Sequence, residues 1–201
     1  GFVMAEGAAV LLLERLDLAL ARGATPLAEI VGYGATADAQ HITLPAPGGW
    51  GAVRAARRAL AKAGRRGREI DHVNAHATST PEGDKAELDA IRTVLTETDS
   101  ADEARTAAAA EPLRATISAS KGALGHTLGA AGGLGAIATL CAMRDRRVHA
   151  TLNLKTPDAA AAGLDIVAGS PRDHEVRLAP VNAFGFGGQN AALLLSRWEG
   201  R

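Results

Sequence analysis

One cysteine occurs in 201 residues. Cys141 therefore has no partner for an internal disulfide, and a four-cysteine zinc site is excluded. A reducing cytoplasm is the expected compartment. Aromatic residues make up 3% of the chain, too few for a surface that reads nucleic acid by stacking on its bases. Net charge is also missing, because 22 basic and 22 acidic residues cancel. That disfavours a nucleic-acid or anionic-membrane binder held by bulk charge. No initiator Met precedes Gly1, and GFVMAEGAAV carries neither a basic n-region nor a signal-peptide cleavage pattern, so the beginning reads as a cut end. The uncharged run over residues 127–143 is short of the ~20 strongly apolar residues a bilayer asks for. It also holds Gly129, Gly132, Gly133 and Gly135, and it is expected to be a buried helix of a soluble protein.

What is present suffices for a core: 47% hydrophobic and 22% charged residues, in a length that fits one domain or half of something larger. AAVLLL over residues 8–13 has strand length, residues 15–22 read as a helical segment ending at Gly23, and residues 27–31 resume strand character. Over residues 51–63, Val53, Ala56, Leu60 and Ala63 recur at helical spacing with Arg54, Arg57, Arg58 and Lys62 on the remaining face. This predicts an amphipathic helix stopped by Gly64. IDHVNA at 70–75 is a short strand. Leu88, Ile91 and Leu95 mark a second amphipathic helix, capped at Thr80 with Pro81 in its first turn. The acidic stretch 96–112 lacks a sustained apolar face and is expected at the surface. Residues 115–118, 148–152, 166–167, 176–181 and 191–196 complete the strands, and a helix follows KGALGH to about Arg144. Alternating strands and helices that close on a β-rich end predict a layered α/β fold with a mixed sheet.

Three places carry residues with chemistry. The first is VNAHATSTPEGD, residues 73–84, with His76 at a strand end followed by hydroxyls and a helix start, where α/β folds bind ligands. An imidazole there donates a hydrogen bond to an oxyanion or moves a proton; a structural histidine is the plainer alternative. His72 and His76 form HxxxH, but on a strand rather than a helix, and Val73 stands where the zinc motif has glutamate. No metal site is expected. The second is SASKGALGH, residues 118–126, which sets Lys121 and His126 on a Gly-rich turn ahead of an apolar helix. A buried lysine needs a partner, and Glu87 is the candidate. A nearby ammonium keeps imidazoles neutral, fit to donate to an enolate oxygen; an exposed lysine beside a helix-start histidine is the alternative. The third is NAFGFGGQN, residues 182–190. It fails the GxGxxG pattern because Asn190 takes the last glycine's place, and AALLLS, a strand, follows. Gly185, Gly187 and Gly188 allow a tight turn whose N–H groups face a substrate, with Phe184 and Phe186 flanking an apolar channel; a plain hairpin is the alternative.

Together and in this order, NAHATSTPEGD, SASKGALGHTLGAAGG and NAFGFGGQN resemble the C-terminal half of the β-ketoacyl-acyl carrier protein synthases, the elongating condensing enzymes of fatty-acid synthesis. GFVMAEGAAVLLLE looks like that family's segment after its midpoint, so the similarity covers nearly the whole chain. The resemblance implies a thiolase-like fold, two similar βα halves in αβαβα layers, with residues 1–201 as the second half. It implies a decarboxylative Claisen condensation, in which a cysteine of the absent first half carries the acyl chain and malonyl on acyl carrier protein loses carbon dioxide. His76 and His126 would then hold the malonyl thioester oxygen, Lys121 would tune and orient them, and Glu87 would be its acidic partner, with Asp84 in support. Thr78 and Thr80 would hold the phosphopantetheine arm. Phe186 would be the gating residue whose backbone N–H completes an oxyanion hole, with Phe184, Gly185, Gly187 and Gly188 lining the substrate. The resemblance implies no cofactor beyond the phosphopantetheine of acyl carrier protein. Its implied partners are that carrier and the first half, in a homodimer or heterodimer. Cys141, within AIATLCAM, is expected to be a buried, inert thiol that does not replace the family's nucleophile. HATST and KGALGH favour fatty-acid synthesis over modular polyketide ketosynthases, whose motifs more often read HGTGT and KSNIGH. A noncatalytic chain-length-factor-like partner is a second reading, and the intact His76, Lys121 and His126 count against it. An inactive truncated remnant is a third.

Overall fold

The computed structural model describes residues 1–97 and 113–200. Its main sheet has six strands: β1 (Ala28–Ala37), β2 (His72–Asn74), β3 (Thr116–Ser118), β5 (Asp165–Ile166), β7 (Leu178–Gly185) and β8 (Gln189–Arg197). They lie in the order β1-β8-β7-β2-β3-β5, antiparallel from β1 to β7 and parallel from β7 to β5. The predicted α/β class and mixed sheet are therefore present. Alternate residues of the central strands face opposite ways, as the pleat requires. Leu178 and Leu194 pack into a cluster with α2 (Trp50–Ala63) and α3 (Pro81–Thr96). Ala179, Val181 and Leu195 pack under α5 (Ala131–Asp145).

The amphipathic pattern of α2 buries Ala52, Val53, Ala55, Ala59 and Leu60, and Gly64 closes the helix in a left-handed conformation with φ 61°. The helix rests directly on strand backbone. A Cβ at Gly32 would stand 2.1 Å from the Ala59 carbonyl oxygen, and one at Gly34 would stand 1.9 Å from that of Ala55. Neither oxygen can retreat without moving the helix. Gly34→Ala is therefore expected to cost about 1–3 kcal/mol by overpacking, read as a lower urea midpoint with an unchanged m-value.

Several boundaries differ from the sequence expectations. Residues 8–13 form no strand, and Val10 and Leu12 are 91% and 87% exposed. A strand needs a neighbouring edge to hydrogen-bond with, and no described strand pairs with this segment. Pairing with β8 as far as Ala37↔Gln189 extends β1 well beyond residue 31. Residues 148–152 do not join the main sheet: β4 (Arg147–Val148) pairs with β6 (Arg172–Asp173) in a separate two-stranded ribbon. A short helix, α1 (Leu16–Ala21), fits the predicted segment, and the apolar run behind His126 passes through a 3-10 turn over Leu128–Ala130 and becomes α-helical only at Ala131. Cys141 is half-buried rather than buried. Beyond Glu97, the acidic stretch expected at the surface lies outside the described residues. Among the described residues, no helix is long and apolar enough to cross a membrane.

His72 is wholly buried on β2, its Nδ1 2.9 Å from Thr116 Oγ1. Burial, and then the neighbouring His149 and His174, push its pKa from 6.5 down to about 3. Above pH 6.5 the folded and unfolded rings are both neutral. Below it the unfolded chain takes up a proton that the buried ring refuses, so stability falls progressively as pH drops from 6.5 towards 3. Urea melts at pH 7 and pH 5 are expected to show this loss, and His72→Gln is expected to flatten the slope.

Candidate active site

Strand direction explains why the three motifs meet. β2, β3 and β7 are mutually aligned, with Asn74 opposite both Ser118 and Val181. The segments leaving their C-terminal ends therefore emerge side by side, which is the usual ligand position in parallel α/β sheets. The first carries His76. The second passes through the single-turn helix α4 (Lys121–Leu124) to His126. The third is the hairpin between β7 and β8, with Phe186 near its tip.

They enclose one cavity of about 570 Å³, whose wall includes His76, His126, Thr78, Thr80, Phe184 and Phe186. Gly185, Gly188 and Glu87 also border it. The two imidazole rings lie 5.7 Å apart between centroids and nearly perpendicular. Phe184 flanks His76 at 5.4 Å, and Phe186 is 70% exposed at the rim. The Thr78 and Thr80 hydroxyls lie 3.1 Å apart.

Both imidazoles are held neutral. Burial, then the Lys121 ammonium, then His126 bring the His76 pKa to about 3. Burial and then Lys121 lower His126. His126 Nδ1 accepts the Leu128 N–H at 3.3 Å, so the proton of its neutral ring sits on Nε2, which is thereby a donor. The Nδ1 of His76 is buried without a partner among the described residues.

Lys121 and Glu87 do not form the expected direct ion pair. They grip the two sides of the same peptide instead. Glu87 Oε1 accepts the His76 N–H at 2.8 Å and Asn182 Nδ2 at 2.9 Å, while Oε2 accepts the Ala77 N–H at 2.7 Å. Lys121 Nζ donates to the His76 carbonyl. With both carboxylate oxygens occupied by these donors, the ammonium finds its acceptor on the backbone. Burial raises the Glu87 pKa against the pull of its hydrogen bonds and Lys121. Burial lowers that of Lys121, opposed by Glu87 and then Asp84.

Three of the predicted residues do not face the large cavity. Lys121 stands behind His76. Asp84 accepts the Ser79 N–H at 3.1 Å and lines a separate cavity of about 110 Å³. It thereby supports a turn in which Ala77 and Ser79 adopt positive φ angles of 29° and 64°. Gly187 turns towards the loop over residues 38–49, donating its N–H to Ile42 O at 2.8 Å.

Sequence reasoning missed several wall residues, Phe2, Asp38 and Asn190 among them. Phe2 stacks edge-on against His126 at 4.8 Å and is fixed by backbone bonds from Ala5 N to His126 O and from His126 N to Val3 O. Asp38 accepts Ala46 N–H and Asn190 Nδ2 at 2.9 and 2.8 Å, and donates its own N–H to Gly188 O. This pins the hairpin to the loop. Asn190 was visible as the end of NAFGFGGQN but served only to reject a nucleotide motif; Asp38 sits in a stretch without periodicity, and Phe2 in an opening segment from which no site residue was read.

Two neutral imidazoles beside apolar rings can stabilise charge that develops on an oxygen. Among the described residues, no cysteine borders the cavity and no group of three or more His, Cys, Asp or Glu side chains is arranged to hold a metal.

Residues 27–155 match the family described as Beta-ketoacyl synthase, C-terminal domain. Over 199 residues the chain is 43% identical to the 3-oxoacyl-[acyl-carrier-protein] synthase 2 of Staphylococcus aureus (strain COL), covering 99% of this chain and 45% of that relative. Among solved structures, the ishigamide ketosynthase/chain length factor matches 98% of this chain and 45% of its own with a TM-score of 0.85 and 37% identity. A type II PKS acyl-carrier protein in complex with its ketosynthase matches over 92% of this chain and 42% of its own, with a TM-score of 0.80 and 26% identity. The chain thus spans less than half the length of these relatives. With the family match running through both histidine motifs and the architecture shared with thiolase-like ketosynthases, the chain belongs to the β-ketoacyl synthase family, as its C-terminal domain.

Proposed function

We propose that residues 1–201 are the second half of a 3-oxoacyl-acyl carrier protein synthase, an acyltransferase of fatty-acid elongation, and that this half supplies the decarboxylating imidazoles. The convergence of His76 and His126 on one cavity, 5.7 Å apart and both neutral, carries the reading. In the proposed step, the bond between the malonyl carboxylate and its α-carbon breaks. Carbon dioxide leaves, and the electron pair moves into an enolate whose thioester oxygen accepts hydrogen bonds from both rings. The enolate carbon then attacks an acyl thioester on a cysteine of the first half, and the thiolate departs. Each preorganised donor lowers such a barrier by about 3–4 kcal/mol. Lys121 and Glu87 fix the His76 backbone, Thr78 and Thr80 receive the phosphopantetheine arm, and Phe184, Phe186, Gly185 and Gly188 shape the channel.

The substrates arrive on acyl carrier protein, and the complete enzyme is cytoplasmic and dimeric. Likeness to a PKS ketosynthase supports a polyketide line as a second reading with the same chemistry; acceptance of unreduced β-keto chains as primers distinguishes it. The test joins this chain to a cysteine-bearing first half and measures labelled carbon dioxide released from malonyl-acyl carrier protein. Release that survives alanine at both His76 and His126 overturns the reading.

A further inference from the structure

Asn182 opens the third motif, yet it does not line the large cavity. The pleat of β7 turns it to the same side as Leu178 and Phe184, towards α2 and α3. Its surroundings there are apolar: with Pro180, Ala52, Val73 and Ile91 it borders a small cavity of about 20 Å³. An amide on such a face needs a hydrogen-bond partner. Asn182 finds it on α3, where its Nδ2 donates to Glu87 Oε1 at 2.9 Å. Among the described residues, no other side chain of β7 or β8 bonds to Glu87.

That bond falls on the same oxygen that accepts the His76 N–H. A line of contact therefore runs from the root of the hairpin, where Asn182 pairs with Ala192, through Glu87 to His76. Phe184, two residues further along β7, lies 5.4 Å from the same imidazole. The hairpin thus meets His76 twice, at its ring directly and at its backbone through Asn182 and Glu87. The bond also bears on the charge of Glu87. Burial favours the protonated acid, and the Asn182 amide is among the donors that oppose it. A protonated carboxyl turns one acceptor position into an O–H donor, which weakens its hold on the His76 and Ala77 N–H groups. Ala77 needs that hold, because its φ of 29° is one that residues with a side chain rarely adopt.

We propose that Asn182 is a positioning residue for His76: it locks the Glu87 clamp to the root of the hairpin, so that the imidazole and the phenylalanine wall keep one geometry. The reaction it serves rests on the function proposed above; the hydrogen bonds that join it to His76 do not.

The test has one readout in the chain itself and one in the joined halves. With isotope-labelled glutamate carboxyls followed by carbon NMR, the Glu87 signal, assigned by its loss in Glu87→Gln, is expected to titrate at higher pH in Asn182→Ala than in the parent. Asn182→Asp keeps the size of the side chain, should alanine not fold. It sets a second carboxylate against the first and is expected to move the titration further. Joined to the first half, Asn182→Ala is expected to lower kcat for malonyl decarboxylation about tenfold at pH 6, the scale of one lost charge-assisted hydrogen bond. The acid limb of the profile is expected to move to higher pH, with KM unchanged because Asn182 is not on the cavity wall. In a Glu87→Gln background, which has no proton to gain, the same substitution is expected to leave the limb in place. A limb that moves equally in both backgrounds, or a Glu87 titration that is the same in the parent and both variants, overturns the proposal. A shifted Glu87 titration in joined halves that release no carbon dioxide leaves Asn182 in its place and sinks the function. Carbon dioxide release whose kcat and acid limb ignore Asn182→Ala does the reverse.

Discussion

His126→Ala, in the chain joined to its cysteine-bearing half, is expected to lower malonyl decarboxylation about 10²–10³-fold, the usual cost of removing one donor from a preorganised oxyanion site. The neutral ring of His126 carries its proton on Nε2 because Nδ1 is already taken by the Leu128 N–H. Alanine removes that donor and leaves His76 in place. His76→Ala is expected to cost a similar factor, and the double variant less than the product, because the two rings serve one oxygen. Transfer of an acyl group onto the first half's cysteine is the control. It is expected to persist in both variants, which separates loss of the donor from loss of the fold. Lys121→Ala is expected to act through pH instead. The ammonium helps to hold both imidazoles below their ordinary range, so its removal moves their titration upward. The acid limb of the decarboxylation profile then moves to higher pH, read from kcat between pH 5 and pH 8.

The second large effect is on stability. Glu87→Ala is expected to destabilise the chain by about 3–5 kcal/mol, the range for breaking a buried charged network from one side. Glu87 is 4% exposed and accepts from three donors, the His76 and Ala77 N–H groups and Asn182 Nδ2. Truncation leaves all three without their acceptor. Glu87→Gln is expected to lose less, since its carbonyl oxygen still accepts while its amide opposes the remaining donors. Urea melts of the two variants, compared at one pH, check the order. A Glu87→Ala chain as stable as the parent would contradict the clamp.

Much of this arrangement is legible in the residues, for identifiable reasons. The pattern around Val53, Ala56 and Leu60 carries helical periodicity strongly enough to place α2, the strand-end position of His76 follows from the short, partly β-branched run before a Thr-rich turn, and His126 falls on the Gly-rich turn that follows the next such strand. What cannot be read locally depends on partners distant in sequence. The length of β1 is decided by β8, more than 150 residues later. Whether residues 8–13 form a strand depends on an edge to pair with. The expected Lys121–Glu87 contact failed for the same reason: the spacing placed the two charges near one another but did not reveal that the His76 peptide lies between them. Asp38 and Phe2 carry no motif, and only the closed cavity shows their use.

The bare backbone at Gly32 and Gly34 has a mechanical consequence. With no side chain to act as a cushion between α2 and β1, helix and strand must shift as a single rigid piece. The last two residues of that strand, Thr36 and Ala37, pair with Asn190 and Gln189 at the root of the phenylalanine hairpin, and the Thr36 hydroxyl ties back to the Gly51 carbonyl. Load applied to the outer surface of the helix therefore reaches the hairpin with almost no play in the linkage.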